Sequence, residues 1–92
     1  MPKTDLILLA MEQSSTLDLL ERALRAGNYG LAVAKNPMAL EKCLQETIPT
    51  LLVISEKLGD KSGLDLAKTT LERFPTLPII LYSVNHDPKN VL

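Results

Sequence analysis

The stretch Pro49-Thr50-Leu51-Leu52-Val53-Ile54-Ser55-Glu56 decides how this chain folds. Residues 51–54 are apolar without interruption, and they end abruptly on a hydroxyl and a carboxylate. A run this short cannot span a bilayer, and it offers no alternating polar face to water. It therefore predicts a strand covered on both sides, as in a parallel sheet. Three further runs, Leu6–Ala10, 31–34 and Ile79–Tyr82, punctuate the chain, and three of the four are nearly continuous.

The segments between the runs carry helical spacing. Leu17, Leu20 and Leu24 recur at i, i+3 and i+7 after Ser15, with Asp18 three positions on, which predicts a capped amphipathic helix. Asn36-Pro37 reads as an N-cap and first-turn proline, with Leu40, Leu44 and Ile48 as the buried stripe of a second helix that Pro49 stops. Ser62 and Asp65 repeat the cap pattern. Leu64, Ala67, Leu71 and Phe74 supply the apolar face of the third helix, and Pro75 and Pro78 end it. The order β-α-β-α-β-α-β with short connections predicts an α/β fold: a three-layer, doubly wound parallel sheet of four strands.

Ninety-two residues suffice for one domain and not for two. Ten Lys and Arg against eleven Asp and Glu leave a net charge of −1, so no basic footprint for nucleic acid or for a membrane surface follows. The single cysteine, Cys43, excludes an internal disulfide and reads as a small core hydrophobe beside Leu40 and Leu44. The amino terminus lacks the form of a secretory signal, and the expected location is the cytoplasm. After Ser83 the segment Val84-Asn85-His86-Asp87-Pro88 begins a further helix. The pattern is expected to continue beyond it into a final strand and helix, unless a partner covers the open edge of the fourth strand.

In an open parallel sheet the ligand site lies beyond the carboxyl ends of the strands. Met11, Glu12 and Gln13 follow the first strand, Ser55 and Glu56 the third, and Ser83 the fourth. No glycine stands in Met11-Glu12-Gln13-Ser14-Ser15, which argues against a phosphate-cradling nucleotide loop. His86 lies in the tail, and no Ser-His-Asp arrangement can be assembled from the spacing. Ser55 and Ser83 each read equally as strand-terminating hydroxyls satisfied locally, Glu12 as a solvated acid and Asp60 as a turn residue. Glu56, adjacent to Ser55, should point away from it.

From Asp5 to Ser83 the sequence resembles the receiver domain of two-component response regulators. The resemblance rests on Ile7-Leu8-Leu9 leading to an acidic position, Gly27 and Tyr29 at the end of the first helix, and the 49–54 run leading to an acceptor position. Gly63-Leu64 at the start of the third helix and Pro78-Ile79-Ile80-Leu81-Tyr82-Ser83 complete it. It implies a flavodoxin-like receiver domain over 1–83, with 84–92 as the start of a fourth helix or a tail. In that family an acidic pair and an acceptor aspartate hold magnesium, while a hydroxyl and a lysine contact the phosphoryl group. By position the acidic pair becomes Met11 and Glu12, the acceptor Ser55 and the hydroxyl Ser83, and the lysine position falls beyond Leu92. Gly59 stands where proline is usual and Ser62 where aspartate is common, changes expected to tolerate the same loop shape.

A serine hydroxyl needs a positioned base to become a nucleophile, and none is evident. Magnesium is normally held by one or two carboxylates with water and phosphate oxygens, which leaves Glu12 as a weak ligand and no cofactor expected. The expected role is a pseudo-receiver, without enzymatic activity and independent of phosphorylation, that contacts a protein partner or a fused output domain. Two alternatives stand beside it: a phosphoryl-accepting receiver with an atypical site, and a small α/β assembly domain that pairs with another copy through its sheet edge.

Overall fold

The computed structural model describes residues 5–83. Four parallel strands, β1 (Leu6–Ala10), β2 (Gly30–Ala34), β3 (Leu51–Ser55) and β6 (Ile79–Tyr82), form one sheet in the order β2-β1-β3-β6. Helices α1 (Ser15–Ala26), α2 (Pro37–Glu46) and α3 (Gly63–Arg73) make the crossovers. A two-stranded hairpin, β4 (Lys57–Leu58) and β5 (Lys61–Ser62), separates β3 from α3. The expected α/β architecture is the observed one.

The absence of alternation in the apolar runs has a direct cause, because successive strand residues point to opposite faces and both faces are covered. Leu8, Ala10, Leu52 and Ile54 pack with Leu40 and Leu44 of α2 and Ala67 of α3. Ile7, Leu9 and Met11 pack on the other side against Leu17, Leu20 and Leu24 of α1. Leu8, Leu9, Leu52 and Ile54 are almost wholly buried, and each such side chain contributes about 1.5–3 kcal/mol relative to exposure. Cys43 packs against the α2–α3 cluster, as a small hydrophobe should. Among the described residues, no helix is long and apolar enough to cross a membrane.

Three expectations about the helices need correction. The cap of α1 is Ser14, not Ser15: the backbone at Ser14 is extended and its Oγ accepts from the Leu17 N–H at 3.1 Å. Either serine satisfies the composition rule, and only backbone geometry decides which hydroxyl reaches a free amide. Ile48 is 62% exposed because α2 ends at Glu46, before the stripe reaches it. In α3, Leu64 and Leu71 are largely exposed, and the sheet-facing side is Gly63, Ala67 and Thr70, with Leu66 and Phe74 beside them. Ala67 and Phe74 stand on the expected face, and its centre is shifted from Leu64 and Leu71 toward Gly63 and Thr70. The small side of α3 faces the sheet because its first turn approaches β3 at backbone distance. The helix start expected at Asp87-Pro88 lies outside the described residues.

Replacing Ser14 with Ala should lower stability by about 1 kcal/mol through loss of the cap. Ser15→Ala should leave it nearly unchanged, and urea denaturation of the two variants separates the assignments.

Candidate functional site

Ala10 pairs with Ile54 across the β1–β3 ladder, so Met11 and Ser55 follow side by side at the carboxyl end of the sheet. Ser55 is level with Tyr82, which puts Ser83 one residue further on at the same end. Topology thus brings Met11, Glu12, Ser55 and Ser83 to the same end of the sheet, while His86 lies outside the described residues. Met11, Glu12, Gln13 and Ser14 line one side of a cleft of about 290 Å³, and Ser55, Glu56 and Lys57 line the other.

Five of the residues lining this cleft, Met11, Glu12, Gln13, Ser14 and Ser55, have side chains already engaged. Met11 continues β1, its N–H donating to the Ala34 carbonyl at 3.0 Å. Its side chain is 2% exposed and packs with Ile7, Leu9 and Leu17. The position is therefore part of the core beneath α1. The Ser55 hydroxyl donates to the Lys57 carbonyl, closing the first turn after β3. Glu12 is exposed, but its Oε2 accepts the Gly59 N–H at 2.6 Å. Gln13 links two elements, accepting from Lys35 Nζ at 2.7 Å and donating to Asp18 Oδ1 at 2.9 Å.

Gly59 departs from expectation. Its φ of +64° lies in the left-handed region, whereas proline is locked near −65° and has no N–H to give. The loop as built excludes proline at this position and uses the freed N–H to hold Glu12. Asp60 occupies the β4–β5 turn, as a turn residue should. Glu56 lies beside Ser55 among the residues that line the cleft. The chain bends directly after β3, where the Glu56 N–H donates to the Tyr82 carbonyl and its own carbonyl accepts from Gly63 N–H at 2.7 Å, and strand alternation no longer applies.

These donors do not suit a magnesium ion. The ion demands near-octahedral oxygen coordination, whereas Met11 offers a buried thioether, Ser55 a hydroxyl committed to a carbonyl, and Glu12 a carboxylate committed to an amide. Among the described residues, no group of three or more His, Cys, Asp or Glu side chains could hold a metal.

The closest approach in the region is between backbones. A Cβ placed on Gly63 would lie 1.8 Å from the Ser55 carbonyl oxygen. Composition gave no sign of this contact; only the position of a glycine at the first turn of α3 hinted at it.

Comparison with solved structures sets this arrangement in context. The chain superposes on a response regulator from Thermotoga maritima with a TM-score of 0.79 at 22% identity, covering 95% of this chain and 72% of that one. It matches the chemotaxis response regulator CheY4 of Vibrio cholerae with a TM-score of 0.79 at 15% identity, over 97% of this chain and 76% of that one. The MaeR response regulator bound to beryllium trifluoride matches with a TM-score of 0.76 at 20% identity, over 96% and 74%. The fold is that of a response-regulator receiver domain. No family model and no curated protein matches the sequence. In this receiver fold the cleft described above occupies the carboxyl end of the sheet, between β1 and β3.

Gly63→Ala should cost about 3 kcal/mol, since the added methyl meets backbone that cannot move without displacing α3 or β3. Thermal unfolding followed by circular dichroism measures the loss, and a variant as stable as the parent would show that α3 can start elsewhere.

Proposed function

We propose that this chain is a signalling module with the receiver fold that acts by protein contact, in one conformation, without accepting a phosphoryl group. The observation that carries this reading is the hydrogen bond from Gly59 N–H to Glu12 Oε2. A carboxylate is best placed to help hold a cation when both its oxygens are open to the cleft. Here one of them instead ties β1 to the hairpin after β3. The committed Ser55 hydroxyl and the buried Met11 support the same conclusion, because both replace oxygen donors with local structure.

The consequence for signalling is mechanical. A switch needs two states whose balance an input can bias by differential contact. With Glu12, Ser55 and Gly59 bonded to one another's loops, the cleft carries no open site through which a phosphoryl group would favour one state. The module then serves as a fixed surface for a protein partner or a fused output domain. This reading places the protein in the cytoplasm, without enzymatic activity of its own.

Beryllofluoride with magnesium should leave the amide resonances of Glu12, Ser55 and Ser83 unmoved. Saturable shifts at those three positions would instead assign a working phosphoryl-accepting receiver with an atypical site. Ser55→Asp alone should not confer magnesium affinity, because Met11 still withholds a ligand and Gly59 still holds Glu12; tight binding by that single variant would overturn the account.

A further inference from the structure

We draw no further inference here: the strongest candidate, the apolar groove of about 320 Å³ between the end of α2 and the α3–β6 connection, lined by Ile48, Pro49, Phe74, Pro75, Leu77 and Pro78, is flanked by an Arg73 already paired with Glu41, and nothing in the structure shows what covers it.

Discussion

The structure turns on the absence of a side chain at residue 63. With only hydrogen there, the first turn of α3 seats directly on the last residue of β3, and a Cβ would collide with the Ser55 carbonyl oxygen at 1.8 Å. The Gly63 N–H then reaches the Glu56 carbonyl at 2.7 Å. Residues 56–62 are thus pinned at both ends within a few ångströms, and a chain so pinned must fold back on itself. It does so as the β4–β5 hairpin, whose Leu58 is fully buried in the α2–α3 cluster. The turn of that hairpin carries Gly59 toward Glu12. The geometry of the cleft is therefore a consequence of how α3 begins.

The same constraint explains why the cleft is chemically quiet. Three polar side chains at the carboxyl end of the sheet are used to hold loops: Ser55 by the Lys57 carbonyl, Glu12 by the Gly59 amide, Gln13 between Lys35 and Asp18. These bonds are individually modest, about 0.5–1.5 kcal/mol for neutral pairs and up to ~3 where a charge takes part. Their importance lies in what they exclude. A ligand that needed Glu12 would first have to break its bond to Gly59, and one that needed position 11 would meet a thioether enclosed by Leu9 and Leu17. Burying Met11 adds to the core under α1 at the position where a receiver resemblance calls for acidity.

Much of this was legible in the sequence, for physical reasons that also mark where reading stops. Strands covered on both faces announce themselves through unbroken apolar runs, so β1, β3 and β6 were placed within a residue of their observed bounds. The Asn36-Pro37 and Ser62 caps were evident because proline and hydroxyls at helix starts answer a local need for hydrogen bonds. Convergence of Met11, Glu12, Ser55 and Ser83 followed from topology alone. What could not be read was anything fixed by contacts distant in sequence. The rotation of α3 depends on Gly63 meeting Ser55, and the leucines that completed a plausible stripe, Leu64 and Leu71, are the ones left outside. The engagement of Glu12 depends on a left-handed turn 47 residues away. Ile48 continued a helical pattern past a helix that had already ended.

The orientation of α3 about its own axis governs both the cleft and the outer surface of the helix. Turning the small residues Gly63, Ala67 and Thr70 inward lets the helix sit close enough to lock the loop after β3. The same orientation leaves Leu64 and Leu71 exposed. Had those leucines faced the sheet, their bulk would have lifted α3 away from Ser55, opening the cleft. A locked carboxyl end and exposed leucines on α3 are thus coupled results of one packing choice.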